Sequence, residues 1–297
     1  MDLKDMRYFL AVAEERNVGR AALRLHISQP PLTRHIKDLE DRLGTQLFRR
    51  TPKGMELTDA GQILMDEVPN LLVLAEKAQQ KVKLAGQGLL GQLDVGIFGS
   101  GILDVIPRIL SRFHGERPGV KIVLHNMTKQ EQLLALRERR ITVGFNRLVP
   151  KEPDLVIDTL MRESMMVAVN ASHPLASKAQ ITLADLDDQP LILYPNIPMR
   201  GLAQEVMDAF AKRKLRLRVE QDVEDVLTAV ALVASGFGIS ITTQSATNLR
   251  LPGVVFRPMP KGQLPDVELS CLYRKGDNSP VLSAFLDVVH TYSKTLS

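Results

Sequence analysis

The sequence predicts an α/β fold in two parts, a small helical domain at the N-terminus and a larger domain of strands and helices. Three observations support this prediction: a helix-turn-helix pattern at 17–43, a regular heptad of apolar residues over 64–85, and short apolar strands that alternate with helices from residue 93 onward. A chain of 297 residues and 33.0 kDa is too long for one small core and suits two domains.

Residues 17–43 contain two short helices joined by a tight turn. Ser28 is a favourable N-cap for the second helix, and Pro30 and Pro31 fall in its first turn, where the N–H groups they lack would have no helical partner. An amphipathic helix at 2–15 should pack behind the pair. Apolar residues at spacings of four, three and four predict an inward stripe of Leu32, Ile36, Leu39 and Leu43.

The surroundings of this pair favour DNA binding over an ordinary helical hairpin, which is the alternative for an isolated segment. Between Arg16 and Lys53 nine basic residues stand against three acidic ones, an excess that phosphate contacts require. A basic turn with Pro52 and Gly54 lies between two short extended pieces, which is typical of a wing beside a recognition helix. The predicted DNA contacts are Ser28, Gln29, Pro30, Pro31, Thr33, Arg34, Lys37, Arg50 and Lys53.

Residues 58–88 predict one long linker helix with Thr58 as its N-cap. A helix of about thirty residues, or ~45 Å, is too long to bury its apolar stripe against the small domain alone. We therefore expect it to pair with a second copy, although packing on the chain's own C-terminal domain is an alternative. Pro69 predicts a kink near Asp66 and not a break. The predicted dimer contacts are Leu64, Val68, Leu71, Ala75, Ala78 and Val82.

From residue 93 two strand-helix sets of similar size follow each other, which predicts mainly parallel sheets in two lobes. One strand and one helix remain at the C-terminal end of the chain, and we expect them to join the first set. The chain should therefore cross between the lobes twice, near Met161 and near Pro265, with a cleft between the lobes. The first lobe is predicted at 92–161 and 266–297, and the second at 162–265.

Polar residues at the predicted strand ends are candidate ligand contacts. Ser100 and Thr128 offer hydroxyl groups, backbone N–H groups at helix starts favour anions, and Arg147 can hold a carboxylate through two parallel hydrogen bonds. A small organic acid would suit such a site. Each residue also has a structural alternative, since Ser100 and Thr128 could be helix caps and Arg147 a solvated surface charge.

Motifs of catalysis are missing from the sequence: it has no HExxH, no GxSxG and no GxxxxGK phosphate loop. His125 and His173 stand alone on their segments, and Cys271, the single cysteine, is expected to be a small buried apolar group. We predict no enzyme activity, no cofactor and no metal. The N-terminal residues do not resemble a signal peptide, and no apolar run reaches the ~18 residues of a membrane span, so a cytoplasmic protein is expected.

The run from Met6 to Gly61 resembles the winged helix-turn-helix of LysR-type transcriptional regulators, through RYFLAVAE, RAALRLHISQPPLTRHIKDLEDRLGTQLFRR and ELTDAG. The resemblance extends more weakly through GQLDVGI, IPRILSRFHGERPGVKI, VGF and DVLTAVALVASGFGISI. A finer signature, MTKQEQ followed by GFNR, resembles the branch that controls catechol and chlorocatechol degradation. An exported solute-binding protein of similar two-lobed shape is the rival class, but it would need a signal sequence and would have no use for residues 1–60.

The resemblance implies a winged helix-turn-helix at 1–60, a linker helix at 58–88, and an effector domain at 92–297 that is similar to periplasmic solute-binding proteins. It implies an activator of an aromatic-compound catabolic operon that answers to a muconate-like dicarboxylate. Its implied partners are double-stranded operator DNA, further copies in a homodimer or homotetramer, and RNA polymerase. Arg200 replaces a position that is usually apolar or small. The implied effector contacts are Gly99, Ser100, Thr128, Arg147, Pro198, Met199 and Arg200.

Overall fold

The computed structural model describes residues 1–52, 54–195 and 199–295, so the predicted contacts Lys53 and Pro198 lie outside the described residues. The chain divides into two compact units, Met1–Leu84 and Ala85–Ser297. Each unit is described by itself.

The first unit contains three short helices, a hairpin and the long helix that leaves it. Their bounds are α1 Leu3–Glu15, α2 Val18–Arg24, α3 Gln29–Leu43, β1 Phe48–Thr51, β2 Gly54–Leu57 and α4 Asp59–Gly86. Ser28 occupies the N-cap of α3, as predicted, but its side chain makes no capping hydrogen bond. Pro30 and Pro31 are the second and third helical residues, and they lack the N–H groups that a cap side chain normally accepts from.

The inward stripe of α3 is confirmed at Leu32, Ile36 and Leu39, which are buried in the core of the unit. The prediction is wrong for Leu43, which is 42% exposed. Leu43 is the last helical residue, and Gly44 follows it in the left-handed conformation that turns the chain away. Ala21 and Ala22 are buried in the same core, as the close crossing of α2 and α3 requires.

The wing is fixed to the helices by hydrogen bonds that backbone N–H groups donate. The Glu40 carboxylate on α3 accepts from the N–H groups of Leu47 at 2.8 Å and Phe48 at 3.1 Å. The Met55 N–H group on β2 donates to the Arg16 carbonyl at 2.9 Å. Gly54 has φ +122, and a Cβ there would lie 2.5 Å from that same carbonyl, so only glycine fits. The hairpin is thereby held beside α3.

Helix α4 is continuous through Pro69, so the expected absence of a break is confirmed. Thr58 caps it as predicted, since its hydroxyl accepts the Gly61 N–H at 3.0 Å. The prediction that Val68 contacts a partner is wrong, because Val68 is completely buried in the core of its own winged helix-turn-helix. Further along α4, exposed apolar side chains are Leu71, Val73, Leu74 and Val82.

The second unit alternates strands and helices. Its bounds are β3 Gly91–Ile97, α5 Val105–Glu116, β4 Val120–Asn126, α6 Lys129–Arg137, β5 Val143–Arg147, β6 Leu155–Glu163, β7 Met165–Asn170, β8 Pro190–Leu193, α7 Leu202–Arg213, β9 Arg218–Asp222, α8 Val226–Ala234, β10 Ser240–Thr243, β11 Val254–Pro258, β12 Val267–Arg274 and α9 Pro280–Ser293. Helix α6 ends at Arg137, and Arg139, which has φ +59, reverses the chain two residues later.

Two lobes form around separate sheets in the described part of this unit. The first lobe has the strand order β4-β3-β5-β12-β6, and the second has β10-β7-β11 together with the pair β8-β9. Strand β3 is parallel to β4 and β5, but β12 is antiparallel to β5 and β6, and β7 is antiparallel to both of its neighbours. The prediction of mainly parallel sheets is therefore wrong for β7 and β12. The physical reason is that β6 carries the chain out of the first lobe and β12 brings it back.

The chain leaves the first lobe at Ser164, between β6 and β7, and returns through residues 259–266 before β12. Each lobe has its own apolar core. Phe113, Phe145 and Phe285 form edge-to-face contacts in the first, where Cys271 is fully buried as predicted. Phe210 belongs to the core of the second lobe. Of the helices in the described residues, none is both long and apolar enough to cross a membrane.

Candidate DNA-binding surface and effector cavity

The front of α3 forms an open groove on the surface of the first unit. The residues that line it are Gln29, Pro30, Thr33, Arg34, Lys37, Asp38 and Asp41. Ser28 and Pro31 beside it are exposed, as is Arg50 on the wing strand β1. The Thr33 hydroxyl donates to the Gln29 carbonyl at 3.1 Å. The structure thus brings the predicted α3 contacts together on one face.

The structure separates the basic residues of this unit into two groups. Four of them form ion pairs with carboxylates, namely Arg20 with Glu15, Arg24 with Glu14, Arg42 with Asp5 and Arg49 with Glu56. Arg34, Lys37 and Arg50 are exposed and pair with no carboxylate of the described residues. Cations without an internal partner are the ones that phosphate oxygens or base edges can bind at least cost.

Arg42 has a structural task instead. It donates to the buried Asp5 carboxylate at 2.6 Å, and the Asp2 N–H group donates to the same side chain at 2.9 Å. Burial alone would raise the pKa of Asp5, but these two hydrogen bonds outweigh it and lower the pKa. The charged Asp5 therefore holds α3 against α1.

A small cavity lies between the two lobes of the second unit. Its volume is about 50 Å³. The first lobe contributes Phe98, Gly99, Ser100, Lys129, Asn146, Arg147 and Leu148 to the lining, and the rest of the chain contributes Tyr194, Pro195, Gly201, Leu202, Glu224, Thr243 and Val267. Both polar and apolar groups face this space, as in sites for small organic ligands.

Gly99 and Ser100, both predicted, lie in this lining. Gly99 has φ +72, which glycine adopts without strain. Ser100 is 4% exposed, and its hydroxyl shares a hydrogen bond of 2.8 Å with the Thr243 hydroxyl in the second lobe. Thr243 in turn lies 3.1 Å from the Ser245 hydroxyl. Ser100 therefore connects the lobes as well as lining the cavity.

Arg147 lies in the lining, but its guanidinium is already paired. Its Nη2 donates to the Glu163 carboxylate, and the other oxygen of that carboxylate accepts from the Ser245 N–H at 2.8 Å. Burial lowers the pKa of Arg147 to about 10, which leaves it charged at neutral pH. Glu163 thus occupies Nη2, while the Arg147 Nε is buried and has no hydrogen-bond partner among the described residues, so the grip on a ligand carboxylate through two parallel hydrogen bonds stays a prediction.

Three other predicted contacts lie outside the lining of the cavity. Thr128 forms a capping box with Glu131, whose carboxylate accepts from the Thr128 hydroxyl at 2.8 Å, so the alternative of a helix cap is correct. Met199 packs against a small apolar cluster that includes Leu136. Arg200 is exposed and pairs with carboxylates of α7.

Lys129 was missed by the sequence analysis. It is 2% exposed, and its Nζ donates to the carbonyl of Leu148 at 2.9 Å and to that of Arg200 at 2.6 Å. Burial lowers the pKa of Lys129 to about 8. A sequence signal was present, since Lys129 follows the cap Thr128 and places a cation at the positive end of the α6 dipole.

Asn146 is the second missed residue. It is 5% exposed, and its Oδ1 accepts from the Arg147 N–H at 2.9 Å. Its Nδ2 is buried and has no hydrogen-bond partner among the described residues. Within residues 1–52, 54–195 and 199–295, no three His, Cys, Asp or Glu side chains gather where a metal ion could bind.

A winged helix-turn-helix joined to a two-lobed domain with a cavity defines the class as a DNA-binding transcriptional regulator. Residues 3–62 match the family described as bacterial regulatory helix-turn-helix protein, lysR family, and residues 86–294 match the LysR substrate binding domain. The chain therefore belongs to the LysR family of transcriptional regulators. Members of this family are regulators and not enzymes.

Individual relatives agree with this assignment. The chain is 37% identical over 289 residues to the HTH-type transcriptional regulator TdfR of Cupriavidus pinatubonensis (strain JMP 134 / LMG 1197), covering 97% of each. Its structure is similar to full-length CbnR complexed with target DNA, with a TM-score of 0.88 and 34% identity over 99% of this chain and 100% of that one. It also resembles the BenM effector binding domain with its effector benzoate, with a TM-score of 0.62 and 28% identity over 69% of this chain and 93% of that one.

Proposed function

We propose that this regulator binds double-stranded operator DNA through α3 and the wing, and activates an aromatic-compound catabolic operon when a small carboxylated effector binds between its lobes. The observation that carries the proposal is the set of exposed cations without internal partners, Arg34, Lys37 and Arg50, on one chain with an interlobe cavity. The protein acts in the cytoplasm, where it meets DNA and RNA polymerase. Its parts are a DNA-binding domain at 1–60, a linker helix at 58–88 and an effector domain at 92–297.

The DNA part rests on the geometry of α3. Arg34 and Gln29 line its exposed groove, so they are placed to bind base edges, while Lys37 and Arg50 bind phosphate. The related CbnR was solved with its target DNA, which supports the same use of this surface here. Lys53 belongs to the proposed contacts on sequence grounds alone.

The assembly is a homodimer paired through α4, and further a homotetramer of the kind that the family resemblance implies. Exposed apolar residues on this helix support the pairing, because Leu71 is 37%, Leu74 64% and Val82 73% exposed in the single chain. Ala75 and Ala78 lie between them on the same stripe. A dimer offers two recognition helices to two half-sites and doubles the DNA contact.

The effector is a small carboxylate such as a muconate. The BenM effector binding domain was solved with benzoate, an aromatic carboxylate, and the MTKQEQ and GFNR signatures resemble the catechol branch. A cavity of about 50 Å³ is far below the roughly 300 Å³ at the lower end of ligand pockets. Ligand entry therefore requires the lobes to move.

A thermal-shift screen of the full chain tests the ligand class. We expect cis,cis-muconate or benzoate to raise the unfolding temperature, and the neutral benzamide not to, since a ligand at 100 times its Kd stabilises by about 2.7 kcal/mol. Stabilisation by the neutral compound alone would contradict a carboxylate effector. Footprinting on the promoter region of the protein's own gene tests the proposed DNA binding independently.

A further inference from the structure

The Lys129 ammonium is buried between the lobes without a counter-charge. Its two acceptors are the neutral carbonyls of Leu148 and Arg200, and no carboxylate of the described residues lies within ion-pair distance of its Nζ. A buried cation that meets only neutral groups is unfavourable, and a group of this kind in a cleft is a candidate for ligand binding.

Some donor groups of the cavity lining have no acceptor. An ammonium has three N–H groups, and Lys129 uses two of them on carbonyls. The Asn146 amide adds a buried Nδ2 without a partner among the described residues. The Arg147 Nε is also buried without a partner among the described residues, but the charge of that guanidinium is met by Glu163. Glu224 lines the same cavity but is not within ion-pair distance of the Lys129 Nζ, so the carboxylate of a ligand can supply the charged acceptor that Lys129 lacks.

The position of Lys129 also connects the lobes. It begins α6 in the first lobe, the Leu148 carbonyl follows β5 in the same lobe, and the Arg200 carbonyl precedes α7 in the second lobe. A change at the Lys129 ammonium therefore acts on both sides of the cavity at once.

We propose that Lys129, the lining cation whose charge has no internal partner, binds the carboxylate of the effector, with the Asn146 amide as a second donor. The inference rests on the proposed function, and it names the residue that recognises the ligand. The carboxylate accepts the third N–H group of the ammonium and supplies the missing counter-charge. It thereby keeps Lys129 protonated and strengthens the hydrogen bond to the Arg200 carbonyl, so that binding favours the lobe arrangement in which that bond exists.

Isothermal titration of the full-length protein with benzoate and with cis,cis-muconate tests this assignment. We expect Lys129→Met to lose at least about tenfold in affinity for the better probe, because a charge-assisted hydrogen bond is removed. Lys129→Arg, which keeps the charge, should retain more affinity than Lys129→Met. The matched control is Lys151→Met, which alters an exposed lysine outside the cavity lining and should bind as wild type does.

A pH profile separates recognition from a structural role. The pKa of Lys129 is about 8, so its protonated fraction falls about tenfold between pH 7 and pH 9, and affinity should fall by about the same factor. Arg147 and Tyr194, also in the lining, have pKa values of about 10 and about 12, and lose few protons in this range. The other charged groups around Lys129 are Glu131, Glu163, Glu224 and the Arg200 guanidinium with its partners Glu205 and Asp208. Lys129→Arg should abolish the dependence, and Lys151→Met, outside the lining, should preserve it.

Two results would overturn the assignment alone: Lys129→Met binding both probes within threefold of wild type, or a fall in affinity between pH 7 and pH 9 that is equally large in Lys129→Arg. A wild-type protein that binds no carboxylate of the screen would overturn the effector proposal and this assignment together. The failure of the ligand class is thus distinguishable from the failure of Lys129 as its contact.

Discussion

Replacing Val82 with aspartate tests whether α4 pairs with a second copy. Val82 is 73% exposed in the single chain, so the substitution removes little packing from an isolated protomer. In a dimer the two Val82 side chains would be buried, and each burial contributes roughly 1.5 to 3 kcal/mol. Losing both weakens pairing by roughly 3 to 6 kcal/mol, or about two to four powers of ten in the association constant. We expect a lower molar mass by light scattering at micromolar concentration.

Val68→Ala is the matched control on the same helix. Val68 is completely buried in the core of its own unit, and losing its methyl groups should cost roughly 2 kcal/mol with the cavity that remains. For a unit the size of Met1–Leu84 this corresponds to a fall of roughly 8 to 16 °C in its unfolding temperature by calorimetry. The molar mass should not change.

The two variants must differ in molar mass and in thermal stability for the reasoning to hold. An unchanged molar mass for Val82→Asp would show that the exposed stripe of α4 is not the dimer seam. Dissociation of Val68→Ala at full thermal stability would show that Val68 is a partner contact after all.

Arg34→Ala should weaken operator binding by ~1 to 3 kcal/mol and relax the sequence preference, whereas equal loss on random DNA would refute base readout. Arg50→Ala should weaken binding to all sequences and reduce the salt slope by ~1, as measured by titration at several salt concentrations; Arg49→Ala, whose guanidinium pairs with Glu56 at 3.2 Å, should do less. Because burial raises the pKa of the Cys271 thiol, it should react with a thiol reagent only in denaturant, and rapid native labelling would contradict its burial.

The helix-turn-helix could be predicted from the sequence because its determinants are local. The period of Leu32, Ile36 and Leu39 identifies the inward face of α3 whatever the rest of the chain does, and the prolines at its start restrict the backbone directly. Since the apolar residues occupy the inward face of α3, its cations lie on the outward face. Leu43 shows the limit of a periodic pattern, since the pattern continues past the residue where the helix stops packing.

The linker helix was predictable in length but not in its partners. A heptad pattern says which residues share a face, and Val68 and Val82 do share one. Only the tertiary structure decides that the same face packs first against the winged helix-turn-helix and later becomes exposed. The winged helix-turn-helix covers the apolar stripe near Val68, and the stripe is exposed near Val82. No local pattern in the sequence distinguishes these two parts of α4.

The sequence by itself determined the fold class, the recognition helix and the strand ends at which Gly99, Ser100 and Arg147 approach the cavity. Only the tertiary structure decided which cation there lacks a counter-charge. Glu163 meets Arg147 although β12 lies between their strands β6 and β5 in the sheet. Lys129 meets backbone carbonyls, which every residue carries and no sequence pattern marks. The charge balance of a buried site depends on atoms brought together from distant positions, and it exists only once the chain has folded.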